Sequence, residues 1–517
     1  VKMIEKYLAG IDIGTTGAKV AIFNLKGDIL SSGYREYVCV YPKPGWVEQD
    51  LKIMLRSALE ASRECMEKTN IKNTEIAAVS LSTQRSCTIF ADIDGNEIMP
   101  MISWQDGRSS NEAELIKNAI GADDYYKITG LPIGTTWVLT KILWLQKNEP
   151  QKWKKVSSVL QLQDYFLKKL GSKDFAVDIP DAAMFGLWET DKFKWSEDIL
   201  KCFNLNSSIF SSPVPSGTIV GKISKSISEL SGLAEGTPLC VGAGDQNSAV
   251  IGAGVIKDGQ MSVSIGTGGI AITFLNKPFR DPNKMNMITN HAINGKWQME
   301  GLQNGAAGVF RWFRDEIAFY EKKEAQKENK NVYEILDKYI EKTPPGSKGL
   351  LFLPFFAGSA APRWNSKARG TIIGLTFAHD KECLARCFIE GITLEMKDIV
   401  NSIIKSGIKI ESVKLIGGAA KSDIWNKIQA DMYKIDVSTL KISDAAILGA
   451  AIFAGVGIKA FSSIEAGVEK MINIDKTFTP GENAKIYDRM YEIYCKAYES
   501  LSESEVFNMV SDLQTED

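Results

Sequence analysis

A glycine-rich turn between two apolar strands occurs twice in this 517-residue chain, the second time 252 residues after the first. The copies are Ile11-Asp-Ile-Gly-Thr-Thr-Gly17 and Val263-Ser-Ile-Gly-Thr-Gly-Gly269. Apolar residues flank both turns, which reads as a β-hairpin with a glycine tip. A repeat offset by about half the chain predicts two similar units, each opening with the same hairpin. The length agrees, since a chain this long exceeds what one compact core supports. Between the hairpins, periodic apolar residues predict a helix over Leu51 to Lys68. Buried strands are predicted over Ile76 to Ser82 and around Thr88 to Asp92. Such alternation is the pattern of an α/β protein. The junction between the units falls near residue 255, and residues after about 480 read as a C-terminal helix with a frayed polar tail over 501–517.

The formal net charge is −2, and lysines and arginines are scattered without a basic arm. This excludes nucleic acid or an anionic membrane as the main partner. The longest apolar run, Ala445 to Ile458, is too short to span a bilayer and predicts a buried helix. Eight cysteines occur with no C-x-x-C pair, which reads as scattered thiols in a reducing cytosol. No apolar stretch with a small-residue cleavage site opens the sequence, in keeping with a cytoplasmic protein. The chain has only two histidines, His291 and His379, so acid–base chemistry falls to a carboxylate.

A glycine and threonine tip presents backbone N–H groups with no side chain in the way, and such concave clusters bind phosphate oxygens. Gly14, Thr15 and Thr16 form the first tip, and Gly266, Thr267 and Gly268 the second. Lys19 adds a positive charge beside the first. Asp12 precedes the first tip, whereas Ser264 holds the matching place in the second. One carboxylate of this kind suits a site that holds Mg²⁺. Leu239-Cys-Val-Gly-Ala-Gly-Asp-Gln246 runs an apolar strand into a glycine turn and delivers Asp245 and Gln246 at its end, where α/β sheets bind ligands. An aspartate there can take the proton of an attacking hydroxyl. Val413-Lys-Leu-Ile-Gly-Gly-Ala-Ala420 is another strand entering a turn, where Gly417, Gly418 and Ala419 let the backbone approach a flat ring, and Ser422 caps the following helix. Ser216-Gly-Thr-Ile-Val-Gly-Lys-Ile223 is no P-loop. Its glycine spacing is one residue short, and Ile223 stands where a hydroxyl residue is needed.

Taken in order, these segments resemble the FGGY carbohydrate kinases over residues 7 to 495. The resemblance also includes Pro44-Gly-Trp-Val-Glu-Gln-Asp50, Thr129-Gly-Leu-Pro132, Lys141-Ile-Leu-Trp-Leu145 and Ala368-Arg-Gly-Thr-Ile-Ile-Gly-Leu-Thr376. It implies two ribonuclease H-like domains of the sugar kinase/Hsp70/actin ATPase fold with an ATP cleft between them. Residues 1–255 would supply the carbohydrate-binding domain and 256–500 the nucleotide-binding domain. It further implies ATP and Mg²⁺ as cofactors, a small carbohydrate as substrate, and a homodimer. By the same resemblance Asp245 is the general base, Asp12 holds the metal, the two tips hold phosphates, and Gly417 to Ala419 lie against the adenosine.

The substrate pocket mixes two branches of that family. Gln84, Arg85, Trp104, Asp245 and Gln246 resemble the glycerol kinase branch, in which Arg85 and Trp104 would hold a polyol. Ser86, Thr136 and Ile270 depart from that branch by removing an acidic acceptor and two aromatic walls. Trp104-Gln-Asp-Gly-Arg108 resembles the xylulokinase-like branch, in which Asp106 would meet substrate hydroxyls. The expected acceptor is therefore a ketose or a polyol of several carbons. The rival reading is an ATPase switch of the actin or Hsp70 type without a small-molecule acceptor.

Overall fold

The computed structural model describes residues 6–514. Both glycine turns close antiparallel hairpins, Tyr7–Ile13 with Gly17–Phe23 and Gly259–Ile265 with Gly269–Leu275. Each hairpin nucleates a sheet, and the two sheets repeat one plan. In the first, Ile29–Glu36 extends the hairpin antiparallel, while Ile76–Thr83 and then Pro238–Gly244 join its other side in parallel. In the second, Trp297–Gln303 takes the place of Ile29–Glu36, and Ile410–Ile416 and Val437–Leu440 provide the parallel strands. Antiparallel strands close these sides, Ile219–Lys222 in the first sheet and Ile474–Phe478 in the second. The first sheet has six strands and the second seven, the extra one being Met287–Asn290 at the far edge. The central strands read as nearly continuous apolar runs because parallel strands are covered on both faces. Ile219–Lys222, from the segment excluded as a P-loop, is an edge strand.

The helices that follow the last parallel strand of each sheet, Asp245–Gly252 and Ala445–Gly457, pack against one another. Glycines allow the contact. A Cβ on Gly449 would lie 2.0 Å from the Ser248 carbonyl oxygen, and one on Gly252 would lie 1.8 Å from that of Ala445. Ala445–Gly457 also covers the first sheet, where Gly10 leaves room for Ile447. The segment is the buried helix its composition predicts, and no helix among the described residues is long and apolar enough to cross a membrane. Gly449→Ala sets side chain against backbone, which costs about 1–3 kcal/mol where nothing can relax. A lowered Tm by calorimetry is the expected result.

The charged stretch from Glu321 to Lys342 forms most of two helices, Phe319–Lys327 and Val332–Lys342. The chain end differs from expectation. Helix Ala484–Glu503 runs through Ser502, and Val506–Leu513 forms another helix instead of a frayed tail. The reason is one apolar residue: Phe507 is buried against Phe355 and Tyr498. Arg369 adds hydrogen bonds to Ser511 and Gln514. All eight cysteines are free thiols.

Candidate active site

The two hairpin tips close on themselves, with the Gly14 N–H donating to the Gly17 carbonyl at 3.0 Å and the Gly266 N–H to that of Gly268 at 2.9 Å. Most of their remaining carbonyls are engaged, while the N–H groups at the apex are not. In the first, the Tyr37 hydroxyl donates to the carbonyls of Gly14 at 2.7 Å and Gly17 at 3.1 Å. The Gln49 amide donates to the Thr15 carbonyl at 2.8 Å, and the Tyr37 N–H to that of Thr16 at 3.1 Å. In the second, the Thr267 carbonyl accepts from the N–H groups of Ala306 and Gly308, and the Gly266 carbonyl from that of Ala307. Among the described residues, the N–H groups of Thr15, Thr16, Thr267 and Gly268 have no acceptor within the chain. Unpaired N–H groups gathered at a glycine turn favour an anion. The third backbone element, Gly417 to Ala419, follows strand Ile410–Ile416, and Gly418 has open space where a side chain would be. Ser422 caps helix Asp423–Tyr433, and its hydroxyl donates to Asp337 at 2.9 Å.

Asp12 and Asp245 leave the same end of the first sheet. Asp12 pairs in register with Ser82, and Gly244 pairs with Thr83 one residue further along. Asp12 accepts a hydrogen bond from the Ser82 hydroxyl at 2.7 Å. Burial pushes its carboxyl up to about 7; the Ser82 bond opposes this, and the charges of Asp245 and Asp444 add to it. A carboxylate so destabilised is a place where a cation restores ionisation. Among the described residues no three acidic, histidine or cysteine side chains gather to hold a metal. Mg²⁺ at Asp12 would therefore complete its shell with water and phosphate oxygens, its usual habit. The oxygen groups nearest Asp12, the Ser82 hydroxyl and the carboxylates of Asp245 and Asp444, fit that ion.

Asp245 opens its helix directly after the strand, with the Gln246 N–H bonded to its Oδ1 at 2.7 Å. Burial raises its carboxyl above the ordinary range, and the Arg85 guanidinium opposes this with Nε 3.8 Å from Oδ1. Gly244 is required here. A Cβ would lie 2.4 Å from both the Arg85 Cγ and Asp181 Oδ1. His291 is buried with its Nε2 at the Val255 carbonyl, and burial drives its ring down to about 3. The His291 imidazole therefore does not compete with the carboxylates for this chemistry.

Several pocket residues do other work than the sequence led us to expect. Arg85 forks onto Glu300 of the second sheet, with Nη1 3.0 Å from Oε1 and Nη2 2.8 Å from Oε2. Glu300 is fully buried and also accepts from Thr289 and Gln298. Burial alone would lower Arg85, but Glu300 overrides it and holds the guanidinium charged. Gln84 is buried and braces the first tip, accepting from the Thr15 hydroxyl at 3.0 Å and donating to Gln49 at 2.7 Å. Asp106 is engaged inside the protein and not open to solvent. It is fully buried and forked by Arg108, with Nε at 2.9 Å and Nη2 at 2.8 Å, and it also accepts the Val47 N–H. The physical reason is the Gln-Asp-Gly-Arg turn, which folds Arg108 back onto Asp106 while Trp46 covers its guanidinium at 3.7 Å. Trp104 remains 40% exposed and tethered to the Thr15 hydroxyl through its indole N–H, so a ring face is open beside the tip. Gln246 is half-buried beside Asp245. Lys19 pairs with Asp444, which precedes helix Ala445–Gly457.

Glu300 and Asp181 are the site residues that sequence reasoning misses. A glutamate between Met299 and Gly301 in strand Trp297–Gln303 is the available signal, because a buried carboxylate needs a partner. Asp181 is buried beside Arg85 with neither oxygen hydrogen-bonded; burial and neighbouring Asp178 hold its carboxyl well above normal.

Sequence models of the FGGY family of carbohydrate kinases match residues 7–252 as the N-terminal domain and 261–458 as the C-terminal domain. The chain belongs to this family. It is thus a carbohydrate kinase, which uses ATP to phosphorylate a hydroxyl of a small carbohydrate. The kinase is 29% identical over 497 residues to a xylulose kinase of Staphylococcus epidermidis, covering 96% of this chain and 97% of that protein. It is also 29% identical over 496 residues to a gluconokinase of Bacillus subtilis, covering 95% of each. Its fold matches the crystal structure of Plasmodium falciparum glycerol kinase with ADP, at a TM-score of 0.84 and 23% identity, over 96% of this chain and 98% of that one.

Proposed function

We propose that this kinase transfers the γ-phosphoryl group of MgATP to a primary hydroxyl of a ketose, a sugar acid or a polyol of several carbons, with Asp245 as the general base. The observation that carries the reading is the placement of Asp245. It stands at the end of a parallel strand, close enough to Asp12 that its charge adds to the cost of ionising Asp12. The hydroxyl proton passes to an Asp245 oxygen as the hydroxyl oxygen attacks phosphorus and ADP departs. Thr15, Thr16, Thr267 and Gly268 offer N–H groups to phosphate oxygens, while Gly417, Gly418 and Ala419 provide a flat bed for the adenosine. Asp12 is the residue that would hold Mg²⁺, which neutralises phosphate charge when bound.

In this reading Arg85 acts on the reaction mainly through Asp245, since Glu300 occupies its fork. Trp104 covers the C–H face of the acceptor. Residues 1–255 form the carbohydrate-binding domain and 256–500 the nucleotide-binding domain, working in the reducing cytosol. The relatives named for xylulose and gluconate favour an acceptor longer than glycerol. The pocket does too, with Ser86 where the glycerol kinase branch has glutamate.

The test is ADP release with MgATP across glycerol, erythritol, xylulose, ribulose and gluconate. The expected result is a rate at least about tenfold over the acceptor-free background for one compound longer than glycerol, as proper positioning of an acceptor requires. Equal slow release with every compound and with none contradicts the proposal.

A further inference from the structure

We infer that Glu300 sets the charge of the acceptor. By filling the fork of Arg85 it leaves no free guanidinium for a carboxylate, so the kinase takes an uncharged ketose or polyol and rejects a sugar acid. A guanidinium suits a carboxylate because its two parallel N–H groups match the two oxygens. Arg85 is the cation beside Asp245, where the reacting hydroxyl has to lie. Its fork is already taken. Nη1 donates to Glu300 Oε1 at 3.0 Å and to Asn247 Oδ1 at 3.2 Å, and Nη2 donates to Glu300 Oε2 at 2.8 Å. Glu300 is itself locked, fully buried, with the Thr289 hydroxyl 2.6 Å and the Gln298 amide 2.9 Å from Oε1. An acceptor carboxylate would have to displace one that four hydrogen bonds hold.

The charge balance points the same way. Arg85 sets one positive charge against two negative ones, Glu300 and Asp245, so the group is net negative when the base is ionised. Little water screens these buried charges. A second carboxylate, within the length of a short sugar from Asp245, is repelled. Arg108 and Lys19 offer no substitute. The Arg108 side chain is wholly buried between Asp106 and Glu48, and Lys19 pairs with Asp444. Hydroxyl groups meet no such penalty, because they donate to carboxylates.

The inference rests on the reading of Asp245 as the base at the acceptor site, and its test separates the two. Values of kcat/KM are measured for the neutral compounds of the acceptor panel and for sugar acids of matching chain length, with the wild type and Glu300→Gln. Circular dichroism reports folding. In the wild type the best acceptor should be neutral, with every sugar acid at least about tenfold poorer. Glutamine keeps the shape of residue 300 and removes its charge, which frees the charge of Arg85. The ratio of sugar acid to neutral acceptor should then rise at least about tenfold, read as kcat/KM or as the inhibition constant of the sugar acid against the best acceptor. A Glu300 that only held the sheets together would lower all acceptors alike, and an unchanged ratio overturns the inference. So does a wild type that uses a sugar acid within about tenfold of its best neutral acceptor. If Glu300→Gln does not fold, gluconate and gluconamide as inhibitors of the wild type decide. Tighter inhibition by the neutral amide supports the inference, and equal inhibition or none overturns it. If no compound raises ADP release above the acceptor-free background, the kinase-site reading fails, and this inference with it.

Discussion

Asp245→Asn removes phosphoryl transfer while leaving the nucleotide site intact. Asparagine keeps the shape of the side chain and its contact with the Gln246 N–H but has no lone charge to take a proton. General-base catalysis contributes about a hundredfold to ten-thousandfold, so turnover should fall by that factor, with ADP affinity held within about twofold. The pH profile of the wild type carries the same information. A base must be ionised, and burial raises the Asp245 carboxyl. The acid limb of kcat/KM should therefore lie above pH ~4, the ordinary aspartate value, with activity lost as pH falls through it. An Asp245→Asn enzyme with near-normal turnover would falsify the assignment.

Glu300→Ala should be the most destabilising single substitution in the site. It strands the Arg85 guanidinium, whose side chain is 10% exposed, without the bidentate partner that holds it. Removing one member of a buried pair costs about 3–5 kcal/mol, and Asp245, 3.8 Å from Nε, does not replace the two hydrogen bonds that Glu300 accepts from the guanidinium. The pair also joins the two sheets, since Arg85 follows strand Ile76–Thr83 and Glu300 lies in Trp297–Gln303. The loss should appear as a lowered urea midpoint. A double substitution, Arg85→Met with Glu300→Leu, distinguishes stability from chemistry. Apolar replacement of both partners is often neutral or stabilising, so folding should largely recover. Activity should not, because Asp245 then lacks the positive charge 3.8 Å from its Oδ1. Recovery of both would mean that the pair only holds the sheets together.

What the sequence disclosed follows from which forces are local. The two hairpins, the turn at Gly417 and the cap at Ser422 are set by glycine and hydroxyl residues acting on their own backbone, so pattern alone exposes them. Helix Ala445–Gly457 is legible for a similar reason, since so many apolar residues leave it no place but the interior. Side-chain partnership is not local. Asp106 and Arg108 are two residues apart, but only the fold shows that Trp46 covers the pair and removes it from solvent. Arg85 and Glu300 are brought together by the meeting of two sheets, and Lys19 and Asp444 by a helix of the second half lying on the first. The end of the chain repeats the lesson. Ser502 to Leu513 looks polar in composition, yet Phe507 finds a pocket and holds a helix in place.

The claim that matters most is that phosphate leaves ATP for a carbohydrate hydroxyl and not for water. The direct measurement is ³¹P NMR of the wild-type enzyme turning over MgATP with the best compound of the acceptor panel. The account predicts ADP and a phosphomonoester on a primary carbon of the acceptor, formed one for one and both slowed at least about a hundredfold with Asp245→Asn. ADP accompanied by inorganic phosphate, at the same rate with and without acceptor, would contradict it.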